Sequence, residues 1–258
     1  MKRFTILILI ILTLFFNFIN TSSNAASPYT KKQLSVVAND GFNLKATLTY
    51  PNDKKKNNFS TVVLLHSIGS NSQWWGTLPD KLLSNGYAVL AIDFRGHGAS
   101  VYNAKLNKVS WTSLTNKAYA KYPDDVIKVV EHIKTEFPKK TFFDNYAIVG
   151  SDIGGSSGIL AAEKLKEKPK TIVLLSPVVK SKNLYTPVAI AELDTVDFLA
   201  ISSESDALSQ TSTKYLKKFA QKEFAIYNTT TNSSGMLLLK NNPEISSVIT
   251  EWIKEYLK

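Results

Sequence analysis

The chain has 258 residues with no cysteine and only three histidines. Without cysteine there is no disulfide, no thiolate nucleophile, no thiolate zinc site and no lipidated N-terminal cysteine. The histidines, His66, His97 and His132, allow one histidine-dependent triad or one poor metal site. Arginine is almost missing too. Apart from Arg3 and Arg95, the positive groups behind the net charge of +10 are lysines. Nucleic-acid readers favour arginine for its bidentate contacts with phosphate and guanine, and these lysines are scattered. A solvated lysine surface is expected, with no nucleic-acid partner. After the first twenty residues no apolar run approaches the length of a membrane span.

What is present suits a folded protein. The hydrophobic fraction of 44% supports a sizeable core, and the length fits one large domain. Met1-Lys2-Arg3 is a positive start, residues 4–19 are almost wholly apolar, and the small polar stretch 20–27 follows. This is the layout of an export signal. Ser23 and Ala25 fit the small-residue positions before a cleavage point. The expected organisation is a signal peptide over 1–25 and one domain over 26–258, exported to a periplasm or the exterior.

From residue 34 onward, strand and helix patterns alternate. The segments 34–38 and 43–50 flank Asn39-Asp40-Gly41 and predict an antiparallel hairpin. The continuous apolar runs 61–66, 87–94, 146–150, 171–176 and 196–202, with 223–228, read as strands, most of them buried on both faces. Helical patterns fall at 74–86, from Pro123, from 154 towards Pro169, at 209–220 and after Asn242-Pro243. Such alternation makes a mostly parallel sheet covered by helices on both faces, an α/β architecture. In these sheets ligands bind at the carboxyl ends of the strands, so a small-molecule ligand is expected there. The irregular stretch 99–120, with Tyr102, Trp111 and Tyr119, either lines the mouth of that pocket or packs over the sheet edge.

Three loops after strands carry motifs: His66-Ser67-Ile68-Gly69-Ser70, Asp93-Phe94-Arg95-Gly96-His97-Gly98-Ala99-Ser100, and Gly150-Ser151-Asp152-Ile153-Gly154. In this order they resemble the α/β-hydrolase superfamily over residues 34–258, most of all small bacterial esterase-like and dienelactone-hydrolase-like members. The connection 177–195 is too short for a large cap domain. The resemblance implies a nucleophile on a sharp strand-to-helix turn, where the residues two before and two after must be small. Gly150 and Gly154 bracket Asp152, whereas Ser151 lies between Val149 and Ile153. The nucleophile position is therefore Asp152. The implied oxyanion donors are the backbone N–H groups of Ile68 and Ile153; many relatives carry glycine where this chain has Ser67. The acid maps to Asp206 in Ser203-Glu204-Ser205-Asp206, and the histidine position after the last strand maps to Ser234. His66 and His97 occupy positions that are usually structural, and His132 lies within a helix; of the three, His97 is best placed to substitute.

A serine triad needs a base that takes a proton and returns it, and here neither the serine nor the base is in its position. An aspartate nucleophile resembles haloalkane dehalogenases and epoxide hydrolases. Those families carry a tryptophan after the nucleophile and a cap; this chain has Ile153 and no cap. Two readings follow. One is a catalytically degenerate protein with a binding or scaffold role. The other is a hydrolase of small esters or related substrates using Asp152 and Asp206, with Ser234 or His97. Beside these two stands the idea that Asp152 and Asp206 hold a cation or share a proton across the empty histidine position. No cofactor and no resident metal is expected, and the oligomeric state stays open. An exported chain is expected to begin at Ala26, which intact-mass measurement reads directly; an unshortened chain would make residues 1–25 an anchor.

Overall fold

The computed structural model describes residues 27–258, Lys54 and Lys56 excepted. The expected signal segment lies outside the described residues. The expected hairpin forms from β1 (Tyr29–Val37) and β2 (Asn43–Pro51). It begins five residues earlier than the apolar pattern suggests, because β1 is an edge strand of alternating polarity whose start, Tyr29 to Gln33, carries no apolar run. At its turn Gly41 takes a φ of 79°, which a side chain would resist.

The apolar runs form β3 (Phe59–Leu65), β4 (Ala88–Asp93), β5 (Thr141–Ser151) and β6 (Thr171–Leu175). After the two-residue strands β7 (Lys180–Ser181) and β8 (Leu184–Tyr185) come β9 (Asp197–Ser203) and β10 (Phe224–Thr229). The main sheet has eight strands in the order β1-β2-β4-β3-β5-β6-β9-β10. Pairing is antiparallel from β1 to β4 and parallel from there on. All six residues of β4 are buried, as a strand covered on both faces requires.

The helices are α1 (Leu78–Ser84), α2 (Asn116–Tyr119), α3 (Tyr122–Glu136), α4 (Ile153–Lys164), α5 (Pro187–Glu192), α6 (Ala207–Leu216), α7 (Leu237–Asn241) and α8 (Glu244–Tyr256). One core lies between the sheet and α3 and α4, where Val126, Val129, Val130 and Ile133 are buried. A second lies on the opposite face beneath α1 and α8, which contribute Leu78, Leu82, Ile245, Ile249 and Ile253.

Several expectations shift. The 74–86 helix is shorter, because Trp74 and Trp75 belong to the turn before Pro79. The helix after the elbow stops at Lys164 rather than near Pro169, where Leu165 turns extended. Asn242 does not cap the last helix with its side chain. It closes α7, and its amide oxygen accepts from the Thr229 hydroxyl instead. The connection 177–195 holds the β7–β8 hairpin and α5 and no large cap. In the 99–120 stretch Tyr102 bridges to Asn43, and Tyr119 is buried with its hydroxyl donating to the Trp111 carbonyl at 2.9 Å. These are packing roles over the sheet edge.

One buried ion group ties three segments. The Arg95 guanidinium donates to Asp125 of α3 at 2.5 and 2.6 Å and to Asp40 of the hairpin turn at 2.8 Å. Arg95 holds Asp40 well below the ordinary carboxylate range, while burial pushes Asp125 up. Removing the cation strands a buried carboxylate. Arg95→Met is expected to lower unfolding free energy by about 3–5 kcal/mol in urea denaturation; a loss near zero would show that the group is not a structural tie.

Candidate active site

The elbow is built by steric exclusion. β5 ends at Ser151, α4 begins at Ile153, and the chain reverses between them. A Cβ on Gly150 would lie 2.5 Å from the backbone of Gly155, and one on Gly154 would collide with the carbonyl oxygen of Leu65. No larger residue fits at either place. The reversal forces Asp152 to φ 49°, ψ −116°, a strained conformation that costs about 1–3 kcal/mol. Ser151 is fully buried behind the turn, with its hydroxyl paired to that of Ser67 at 2.8 Å. It cannot reach a ligand.

Asp152 sits half-buried on the floor of a cleft of about 590 Å³. Ser67, Ile68, Ser70, Trp74, Ser176, Asp206 and Ser234 help to line it. The structure thus brings Asp152, Asp206, Ser234 and Ile68 to one cavity, while Ile153 supplies its backbone N–H from beneath. The backbone N–H groups of Ile153 and Ile68 lie near enough to the Asp152 carboxylate to favour its charged form. These are the two donors expected to receive an oxyanion, and the protein's own carboxylate lies beside them. Enclosure by protein pushes the Asp152 carboxyl above the ordinary range, and the nearby Asp206 charge pushes the same way; the two N–H groups and the Lys182 charge oppose them.

Asp206 caps α6, accepting the Ser209 N–H at 3.0 Å. Ser234 is exposed on the loop between β10 and α7. The next residue, Gly235, donates its N–H to the Ser176 hydroxyl at 2.9 Å. The sequence reading missed Ser176. It sits at the carboxyl end of β6 with φ 48°, and its place directly after an apolar strand run was the available signal. Trp74 and Leu208 were missed as well, since an exposed apolar side chain in a loop or first helical turn carries no periodic mark.

Both histidines near the site are committed to the backbone. His66 donates Nδ1–H to the Ser67 carbonyl at 2.7 Å and accepts the Phe94 N–H on Nε2 at 3.1 Å. His97 places Nδ1 at 3.2 Å from the Arg95 carbonyl and accepts the Gly69 N–H on Nε2 at 3.0 Å. Such partners fix each ring as a neutral tautomer with no nitrogen left for proton transfer. Burial pushes His66 down to about 4 and lowers His97 too. His132 lies in α3, outside the cleft lining.

The upward shift at Asp152 has a consequence for stability. The unfolded carboxyl ionises near pH 4, below the folded one. Stability from this group is therefore full below that pH and is lost as pH rises through the folded value. Asp152→Asn removes this loss. The variant is expected to melt at a higher temperature than the natural protein at pH 7 and to show no gain at pH 3. An equal gain at both values would mean that charge burial is not what the substitution relieves.

Among known proteins, the family profile described as serine aminopeptidase, S33, matches residues 56–243. No curated protein sequence matches the chain. Solved structures of similar fold include an esterase of Pyrococcus furiosus, with TM-score 0.67 and 18% identity over 89% of this chain and 92% of that one. A cold-adapted esterase from an Arctic intertidal metagenomic library has TM-score 0.68 and 17% identity over 93% and 99%. A dienelactone hydrolase of Anabaena variabilis has TM-score 0.65 and 17% identity over 90% and 100%. With the elbow, the strand order and the profile in agreement, the chain belongs to the serine aminopeptidase S33 family of α/β hydrolases.

Proposed function

We propose that this is an exported α/β-hydrolase-fold protein that has given up ester hydrolysis and uses its cleft to bind a small molecule. The observation that carries the reading is a carboxylate at the elbow, Asp152, beside the Ile153 and Ile68 N–H groups and with no free imidazole near it, since His66 and His97 spend their ring nitrogens on backbone partners. Acyl transfer needs those donors free for the charge that develops on the substrate's carbonyl oxygen. Here a carboxylate stands beside them, and its charge opposes a second negative charge there. A carboxylate in this place could still attack an alkyl carbon, since it needs no deprotonation near neutral pH. Releasing the resulting ester requires a water activated by a base. His66 and His97 have no free nitrogen, and the expected histidine position holds Ser234.

A second reading has one observation in its favour. The strain at Asp152 persists although the usual serine is gone, and strained backbone clusters at working sites. On that reading Asp152 and Asp206 form a non-standard hydrolytic pair.

Short-chain nitrophenyl esters and a fluorophosphonate probe separate the two. The expected result is no saturable turnover and no covalent adduct in the intact mass. Turnover that Asp152→Ala abolishes would overturn the binding reading. The combined change Asp152→Ser with Ser234→His is expected to hydrolyse these esters about 100-fold faster than Asp152→Ser alone. Equal rates for the two variants would mean that Ser234 does not hold the histidine position.

A further inference from the structure

The lining of the cleft is selective in charge. Among the described residues Asp152 and Asp206 are the ionisable ones in its lining; the rest are serines, glycines and apolar side chains. An exposed indole, Trp74, stands at the rim. The Ser70 hydroxyl belongs to the same lining and is buried without a hydrogen-bond partner among the described residues. Two carboxylates, an aromatic face and an unused hydroxyl, with no cation among them, suit a positively charged group. An anionic head would face both carboxylates.

The cleft also continues into an apolar groove. Val178 and Leu208 line both cavities, and the groove of about 560 Å³ runs on between Tyr185 of β8 and Tyr215 of α6. Leu208 is 68% exposed, and Tyr185 and Tyr215 are exposed beside it. A contiguous apolar patch joined to a polar pocket marks a place where apolar surface is meant to be covered. Two lysines stand near the cleft and groove, and the Lys182 charge reaches Asp152. Lys180 lines the groove, and Lys182 holds its Nζ 5.1 Å from the centre of the Tyr119 ring. Both are exposed, so salt screens them over about 8 Å at physiological strength.

We propose that the cleft and groove together bind a small amphiphilic cation, with an alkylammonium head between Asp152 and Asp206 and its tail along Val178 and Leu208. This rests on the reading of the cleft as a binding site. The head takes the room left between the nucleophile and acid positions by the missing imidazole, and donates to groups that an imidazole would have joined. The tail covers side chains that otherwise stand in water, which makes affinity depend on chain length.

Calorimetry on the purified protein at pH 7 tests this with four probes of matched simplicity: n-octylamine, n-butylamine, n-octanol and n-octanoate. Octylamine is expected to bind at least about tenfold more tightly than each of the others, a difference of about 1.4 kcal/mol. Asp152→Asn, which keeps the side-chain shape, is expected to weaken octylamine about tenfold and leave octanol unchanged. Leu208→Ser is expected to remove most of the advantage of octylamine over butylamine. Octanol or octanoate binding as tightly as octylamine, or octylamine not binding at all, overturns the proposal even if the ester assays find no turnover. Ester turnover that depends on Asp152, with the amine series still ordered as expected, would instead remove the non-hydrolytic reading and leave the ligand class standing.

Discussion

Between Gly154 and the carbonyl of Leu65 there is no room for a methyl group, and Gly150 meets the backbone of Gly155 just as closely. This contact presses the start of α4 onto β3 and β5 and reverses the chain within a single residue. Everything at the site follows from it. The residue at the reversal must accept a positive φ, its side chain must rise into the cleft, and the N–H of Ile153 must lie beside that side chain. None of these consequences depends on what the side chain is. The elbow therefore forms with an aspartate in it, and the carboxylate stands beside the Ile153 and Ile68 N–H groups.

The loops around the elbow are fixed by buried polar groups rather than by apolar packing. His66 and His97 cross-link the loop after β3 to the loop after β4 through four backbone partners, with their rings 5.0 Å apart. Asp93 accepts the N–H groups of Ser72 and Ala99, and Arg95 joins the hairpin turn to α3. Each is satisfied by its neighbours, and an unsatisfied buried group would carry a large desolvation cost. Structural commitment also removes these residues from chemistry. A histidine whose two nitrogens are both occupied by backbone is a strut.

The cleft differs from this framework in having groups left over. Asp152 and Asp206 share it without a cation in its lining, Ser70 has an unpartnered hydroxyl, and Leu208 and Trp74 stand in water. Polar satisfaction is otherwise nearly complete among the described residues: the unpartnered buried side-chain atoms are those of Ser70, Trp75 and Ser246. One of the three lies at the cleft, beside two carboxylates, which is why that region carries the functional argument.

The sequence by itself determined the alternating architecture, the place of the elbow and the identity of the residue on it. Buried strands must be apolar on both faces, which makes runs such as 61–66 and 87–94 visible without a structure. A reversal without room for side chains must be bracketed by glycine, which made Asp152 legible from Gly150 and Gly154. Asp206 and Ser234 were reached by position relative to strands, and the cleft does gather them. Tertiary structure alone decided the rest. The start of β1, the β7–β8 hairpin and α7 are specified by neighbours in space, and local pattern is weak where pairing and burial supply the stability. Ser176, Trp74 and Leu208 come from segments remote from one another in the chain. That the Asp152 carboxylate stands beside the Ile153 and Ile68 N–H groups is likewise set by how α4 and the loop after β3 pack. Spacing in one dimension carries no record of it.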